Sequence, residues 1–200
     1  AYRPSVRLIE MGALVEGTSD LRTRLRPVLA KLAQASGETI HLAALDAAEI
    51  VYLDKFDSPL PVAAYSRVGG RAPAHCVASG KALLAALGEP AAELRARLGR
   101  LAAHTPNTIT DYAALEAELA KSRERGWAEN REEWRLGVCG LGAPVFDARG
   151  EPVAAVGMSV PAIRFARAQA RALAEQLLAC AGEASAALGY RGATEAPATP

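Results

Sequence analysis

The amino-acid sequence predicts an α+β fold in which helices pack on a mostly antiparallel sheet and a long helix ends the domain. Three observations carry this prediction. Short segments of alternating apolar residues occur in two pairs, and each pair is joined by a tight turn. A run of helical patterns separates the two pairs. The longest helical pattern follows the second pair, which is typical of helices packed on an antiparallel sheet rather than of parallel winding.

The first part of the chain predicts two helices. Apolar residues at helical spacing over residues 3–17 indicate a short amphipathic helix that stops at Gly17. Ser19 and Asp20 then favour a new helix start, because their side chains accept hydrogen bonds from free amides at a helix N-terminus. This second helix is expected to end at Gly37.

Two strands are predicted next. Alternation over residues 38–45 and 49–56, with a short polar turn between them, predicts a hairpin. Residues 62–65 predict a third strand, and residues 68–73 are interpreted as a loop. The apolar pattern from Ser79 or Gly80 predicts a helix that follows this loop.

The second half continues with a short helix from residue 89 to near Gly99. Residues 111–126 predict a helix capped by Asp111 or Thr110. Residues 138–146 and 152–159 predict a second hairpin, whose turn has the sequence Asp-Ala-Arg-Gly. Residues 162–188 predict the longest helix, because one apolar face runs along their whole length.

Composition excludes several classes of protein. The 200 residues include 23 basic and 22 acidic side chains, so the net charge of +1 does not indicate nucleic-acid or membrane binding. Cys76, Cys139 and Cys180 are odd in number and far apart, which argues against a secreted disulfide framework. No apolar run is long enough for a membrane span and no signal peptide opens the sequence, so a cytoplasmic location is expected. The sequence lacks an initiator Met, which suggests a fragment of a longer protein.

The start of the predicted helix near Ser79 is the first candidate for a binding site. A loop of small residues enters the helix there, and the first amides of a helix have no partner within it. Those amides and the positive end of the helix dipole suit an anion such as a carboxylate. The alternative is that Ser79 simply caps its own helix.

Two nucleotide motifs are rejected. Gly80-Lys81 lacks the earlier glycine and the following Ser or Thr of a phosphate loop, since those positions hold His75 and Ala82. Residues 137–142 resemble a dinucleotide fingerprint only in outline, because the spacing is wrong and a strand follows. Glycine within a strand marks a bulge or a close approach, and these missing side chains are expected to leave room for a ligand.

The sequence gives little evidence for a catalytic or metal-binding cluster. The three histidines and Cys76 and Cys139 show no paired spacing of a metal site, so neither a metal nor another cofactor is predicted. His75 and Cys76 are neighbours on a turn and are expected to point apart, which disfavours a cysteine nucleophile. Glu132 and Glu133 are interpreted as an exposed strand end rather than a pair of general bases.

Several segments together resemble a known family. Residues 75–85, with the sequence His-Cys-Val-Ala-Ser-Gly-Lys-Ala-Leu-Leu-Ala, resemble the signature helix start of the IclR family of bacterial transcription regulators. Further segments resemble that family in order: residues 125–128, 132–133, 137–147 and 153–161. The resemblance covers residues 19–190, and the combination is specific although each piece alone is not.

The resemblance implies a GAF-like, profilin-like effector-binding domain over residues 19–190. It implies that residues 1–18 form a linker helix to an N-terminal winged helix-turn-helix that this sequence lacks, and that residues 191–200 are a flexible tail. A small-molecule effector, frequently an organic acid, and operator DNA bound by the missing domain are the partners it implies. A homodimer or homotetramer is expected, without membrane association and without enzymatic activity.

The resemblance also implies site residues. The polar contacts carried over are Ala78, Ser79, Asn130, Gly140, Gly157 and Ser159. The apolar wall carried over is Ala64, Val68, Ala72 and Val138. Compared with the better-known glyoxylate-type pattern, Asn130 replaces an aspartate, Gly140 a cysteine and Gly157 a serine, while Ala64 and Ala72 replace larger residues.

These departures remove side chains, so they are expected to enlarge the pocket and to delete hydrogen-bond partners. We therefore expect an aromatic or branched acid, with its carboxylate on the amides of Ser79 and Gly80. Arg67, Arg71 or Trp134 would reach into the pocket. Two alternatives stay open, namely a sensor of similar fold with another output and a small enzyme that uses Cys76 or Cys139.

Overall fold

The computed structural model describes residues 16–61 and 66–192, with the backbone alone for residues 16–19. The predicted linker helix before residue 16, the predicted third strand with Ala64, and the predicted tail beyond residue 192 lie outside this part of the chain.

A six-stranded sheet forms the centre of the described domain. Its strands in chain order are β1 (Thr39–Asp46), β2 (Glu49–Phe56), β3 (Arg71–Pro73), β4 (Ala128–Arg131), β5 (Val138–Phe146) and β6 (Pro152–Pro161). Their order in space is β3-β2-β1-β6-β5-β4. Each pairing between these strands is antiparallel.

In the described part of the chain, five α-helices lie on the two faces of the sheet. They are α1 (Glu16–Ser36), α2 (Ala78–Leu87), α3 (Ala91–Leu98), α4 (Tyr112–Arg125) and α5 (Arg167–Ala187). A single 3-10 turn, Ala162–Arg164, joins β6 to α5. Among the described residues, no helix combines the length and the apolar character that a membrane span requires.

The sheet separates two apolar cores. One core joins α1 and α5 to one face through Leu25, Leu29, Leu173, Leu177, Leu141 and Val156. The other joins α2, α3 and α4 to the opposite face through Leu83, Leu84, Leu94, Leu115, Ala43 and Ile50. Because side chains alternate along a strand, successive residues of β5 and β6 face different cores.

The predicted α+β class and both hairpins are confirmed, and the C-terminal helix is present, although it begins at Arg167 rather than at residue 162. Asp111 caps α4 as predicted, since its side chain accepts a hydrogen bond from the amide of Ala114 at 2.9 Å. The second hairpin closes through a hydrogen bond from the Gly150 amide to the Asp147 carbonyl.

Other predicted bounds of helices and strands are wrong. Helix α1 contains Gly17, Ser19 and Asp20, so it neither breaks at Gly17 nor begins at Ser19. Residues 71–73, interpreted as loop, form the edge strand β3. Helix α2 begins at Ala78 rather than at Ser79 or Gly80, and no side chain caps it, which excludes the alternative that Ser79 is its cap. The packing of α1 against α5 and the sheet outweighs the roughly 1 kcal/mol that a helical glycine costs.

Candidate functional site

The side of the sheet that faces α2 carries two rows of small or polar residues. One row crosses three strands as Asn130, Gly140 and Ser159. The next row crosses β5, β6 and β1 as Gly142, Gly157 and His41. Since every second strand residue points to this side, the intervening apolar residues of β5 and β6 can fill the opposite core.

Glycines in these rows allow the start of α2 to lie directly on the sheet. A Cβ at Gly142 would lie 2.5 Å from the carbonyl carbon of Ala78 and 2.6 Å from the amide nitrogen of Ser79. A Cβ at Gly157 would collide with the Ser79 hydroxyl. The space above Gly142 and Gly157 is therefore filled by α2. The expectation that the missing side chains leave room for a ligand is wrong at these two positions.

A cavity of about 290 Å³ lies beside this junction, next to the first residues of α2. Its walls come from all six strands, the start of α2, the loop before β3 and the turn between β4 and β5. The lining residues are His41, Tyr52, Ser66, Arg67, Gly70, Arg71, Val77, Ala78, Ser79, Asn130, Trp134, Arg135, Val138, Gly140, Leu141, Met158 and Ser159.

The structure brings many of the expected site residues together at this cavity. Those that line it are Ala78, Ser79, Asn130, Val138, Gly140 and Ser159, together with Arg67, Arg71 and Trp134. Val68, Ala72, Gly80 and Gly157 do not line it. Ala72 is buried in the core of α2, α3 and α4, Val68 is exposed, and Gly80 packs against the backbone of Ala74.

Sequence reasoning missed His41, Tyr52, Ser66 and Arg135 as lining residues. His41 alternates with the apolar Ile40 and Leu42 on β1, which placed it on the face opposite them. That alternation was the available signal. Nothing in the sequence showed that this face borders a cavity.

The cavity is rich in positive charge. The guanidinium of Arg71 is neutralised by Asp46 and Glu49, each with an N–O distance of 2.6 Å. Arg67 and Arg135 form no ion pair with any residue in the described part of the chain, and the cavity lining contains no carboxylate. The cavity is therefore electrostatically suited to an anion.

His41 is a buried, neutral group at the cavity wall. Burial, followed by the nearby Lys55 ammonium, lowers the pKa of His41 to about 4. Its Nε2 lies 2.6 Å from the Ser66 hydroxyl, and its ring lies 4.7 Å from that of Tyr52. At neutral pH the ring therefore keeps one donor nitrogen and one acceptor nitrogen.

The buried state of His41 predicts an acid-sensitive stability. In the unfolded chain His41 takes up a proton near its ordinary pKa of 6.5, whereas the folded chain resists protonation until about pH 4. The contribution of neutral His41 to the free energy of unfolding is thus fully present well above pH 6.5. It decreases as the pH falls, by about 2 kcal/mol between pH 7 and pH 5. Urea unfolding of the wild type and His41→Gln at both pH values measures this difference. An equal pH dependence in the two proteins would contradict it.

A buried ion pair fixes the turn between β4 and β5. Lys81 of α2 donates to both carboxylate oxygens of Glu133, at 2.7 and 2.8 Å. The Glu133 amide donates to the side-chain carbonyl of Asn130 at 2.9 Å. Glu133 is therefore not the exposed strand end that was expected, and its contacts position the adjacent Trp134 and Arg135 at the cavity.

His75 and Cys76 do not point apart, in contrast to the sequence-based expectation. The Cys76 Sγ lies 3.6 Å from the His75 Nε2, and His104 is close to both. Burial, with the Glu133 carboxylate, raises the pKa of the Cys76 thiol to about 12. Because a nucleophile requires the thiolate, this environment argues against catalysis by Cys76.

The described residues thus form an α+β domain with helices on both faces of its sheet and a small cationic cavity at a helix start. The family model described as "Bacterial transcriptional regulator IclR C-terminal" matches residues 14–186. The chain therefore belongs to the IclR family of bacterial transcriptional regulators, as their C-terminal effector-binding domain.

Individual relatives agree with this assignment. The HTH-type transcriptional regulator XynR of Escherichia coli K12 is 38% identical over 191 residues, which cover 94% of this chain and 75% of XynR. The crystal structure of Thermotoga maritima IclR has a TM-score of 0.82 at 36% identity and covers 94% of this chain and 76% of its own. An IclR homologue of Microbacterium hydrocarbonoxydans, solved with 4-hydroxybenzoate, has a TM-score of 0.81 at 26% identity and covers 93% of this chain and 75% of its own.

Proposed function

We propose that the cavity beside α2 binds a small aromatic carboxylate as the effector of a transcription regulator. The observation that carries the proposal is that Arg67 and Arg135 form no ion pair with any described residue, around a cavity without any carboxylate in its lining. A volume of about 290 Å³ lies near the lower end of small-molecule sites, which suits a single ring or a short branched chain.

The anionic end of the effector is assigned to the first turn of α2. Ala78 and Ser79 line the cavity, and the amides of a first turn have no acceptor within their helix. A carboxylate there accepts charge-assisted hydrogen bonds and lies at the positive end of the helix dipole. Gly80 belonged to the sequence-based proposal, but its contact with Ala74 makes Ala78 and Ser79 the better donors.

The ring of the effector is assigned to the aromatic wall formed by Tyr52 and Trp134. The pair His41 and Ser66 supplies a polar partner for a ring substituent such as a hydroxyl. The relative from Microbacterium hydrocarbonoxydans, solved with 4-hydroxybenzoate, supports this chemistry for the present chain.

The effector is proposed to act on operator DNA through the oligomer and the chain segment that precedes α1. Strand β2 contains both Tyr52, which lines the cavity, and Asp54, which contacts α1. Arg22 and Arg26 of α1 form ion pairs with the Asp54 carboxylate at 3.4 and 2.5 Å. This strand therefore connects the effector to α1 through direct contacts. We expect a coupling of about 1–3 kcal/mol between effector and DNA, the usual range for allosteric proteins. The alternative of an enzyme that uses Cys76 or Cys139 is disfavoured, because both thiols are buried and burial raises the pKa of each.

Thermal unfolding with pairs of ring acids and their neutral amides tests the charge requirement. At 100 times its Kd an acid is expected to stabilise the domain by about 2.7 kcal/mol, or about 5–10 °C for a domain of this size. 4-Hydroxybenzamide is expected to bind about 10–100-fold more weakly than 4-hydroxybenzoate, because it lacks the charge-assisted hydrogen bonds.

Arginine variants locate that charge. Arg67→Gln and Arg135→Gln are each expected to weaken the acid roughly tenfold and to leave the amide unchanged. Arg100→Gln, an exposed arginine outside the cavity lining, is the matched control and should change neither affinity. Equal stabilisation by acid and amide would contradict the proposed carboxylate sensor.

A further inference from the structure

Three potential metal ligands meet next to the effector cavity. His75 and Cys76 lie in the segment between β3 and α2, and His104 lies between α3 and α4. The ligand atoms of these three residues lie within 4.8 Å of one another. The Cys76 Sγ and the His75 Nε2 are 3.6 Å apart. In a tetrahedral zinc site, bond lengths of about 2.3 Å to sulfur and about 2.0–2.1 Å to nitrogen place such atoms about 3.6 Å apart.

Two of the ligands are held in place by their surroundings. His75 is 5% exposed and Cys76 is fully buried. The Cys76 amide donates to the Pro73 carbonyl at 3.2 Å, and the Ala74 amide donates to the Ala48 carbonyl at 2.9 Å. This backbone anchoring fixes the spacing of His75 and Cys76 before any ion arrives.

The third ligand closes the site from the solvent side. His104 is exposed, and its ring packs edge-on against Trp134 with centroids 4.4 Å apart. The amide of His104 donates to the Thr108 hydroxyl at 3.0 Å, which anchors the backbone of this residue. Because His104 is exposed, an ion can reach this side of the cluster from solvent.

We propose that His75, Cys76 and His104 form a site for a divalent transition-metal ion of the zinc class, with water as the fourth ligand. One thiolate and two imidazoles favour such an ion over Mg²⁺ or Ca²⁺, which prefer oxygen ligands. Binding releases the Cys76 proton to solvent and involves no change of oxidation state. The ion replaces the contact of 3.2 Å between the His75 Nε2 and the Ala102 carbonyl.

The charges around the site are balanced. Lys81 and Glu133 both act on Cys76, and they form an ion pair with each other. The ion therefore meets neither a free ammonium nor a free carboxylate there. None of the three ligands lines the effector cavity, whereas Trp134 contacts His104 and also lines the cavity. The metal site and the effector site are thus separate neighbours.

Cobalt titration of the chelator-treated full chain tests the site. Co²⁺ is expected to bind with one equivalent per chain, to give the visible bands of a tetrahedral ion and a near-ultraviolet thiolate-to-cobalt band, and to be displaced by Zn²⁺. Cys76→Ser should abolish the thiolate band. His104→Gln, which changes an exposed side chain, should weaken Co²⁺ by at least about tenfold, since even indirect partners of metal ligands contribute that much.

Cys180→Ser is the matched control, because Cys180 is a buried cysteine whose thiol pKa is also raised to about 12. It should leave both the stoichiometry and the thiolate band unchanged. The absence of a thiolate band in the wild type, its survival in Cys76→Ser, or an unchanged affinity in His104→Gln would each overturn the proposal. Because the wild type and His104→Gln retain Cys76, the test does not depend on the folding of Cys76→Ser.

Discussion

Replacing Lys81 by methionine is expected to lower the free energy of unfolding by about 3–5 kcal/mol, because the change leaves the Glu133 carboxylate buried without its partner. The Lys81 and Glu133 side chains are only 1% and 9% exposed. Burial raises the pKa of Glu133 even beside the Lys81 ammonium. The loss in Lys81→Met should therefore decrease as the pH is lowered and the carboxyl takes up a proton.

Two controls separate the buried charge from the substitution itself. Lys31→Met breaks an exposed ion pair with Glu183 and is expected to cost at most about 1 kcal/mol. The double variant Lys81→Met/Glu133→Leu removes both buried charges and should recover most of the stability. Urea unfolding at pH 7 measures all three. If the double variant were as unstable as Lys81→Met, the unpaired carboxylate would not be the cause.

Replacing Gly142 by alanine is expected to cost about 3 kcal/mol, at the upper end of what overpacking costs. The added Cβ would lie 2.5 Å from the carbonyl carbon and oxygen of Ala78, and these are backbone atoms that no rotamer change can move. The start of α2 must therefore lift from β5. Because Ala78 and Ser79 are the proposed carboxylate donors, effector affinity should fall along with stability.

Gly182→Ala is the matched control for this change. Gly182 lies in α5, and a Cβ there would meet no atom within 4 Å. Since alanine favours a helix over glycine, the substitution should stabilise the domain by about 0.5–1 kcal/mol and leave effector affinity unchanged. A Gly142→Ala variant with wild-type stability and affinity would contradict the account of the α2 contact.

The elements with strong periodicity were predictable from the sequence. Residues 138–146 were predicted and observed as one strand, and α4 begins where Asp111 was expected to cap it. The two short edge strands were not predictable. Strand β3 has three residues and β4 reads Ala-Glu-Asn-Arg, so neither shows an apolar alternation. Their pairing with β2 and β5 defines them instead.

The candidate site was predictable only in part. The helix start at Ala78 and Ser79 follows from small residues before an apolar helical pattern. The role of Gly142 and Gly157 does not, because a glycine reports a close approach without saying whether a ligand or a helix approaches. The pair Lys81 and Glu133 joins residues 52 positions apart, and no local pattern shows such a contact.

The most direct test of the proposed effector site is a nitrogen–proton correlation NMR titration of the domain with 4-hydroxybenzoate. The account predicts that the amide signals of Ala78 and Ser79 and the side-chain indole signal of Trp134 shift together with one dissociation constant. The indole signal of Trp127, which lies outside the cavity lining, should stay in place. The proposed site is wrong if the acid leaves the amide signals of Ala78 and Ser79 unchanged and instead shifts signals from the groove between α2, α4 and α5, around Ala82 and Leu178.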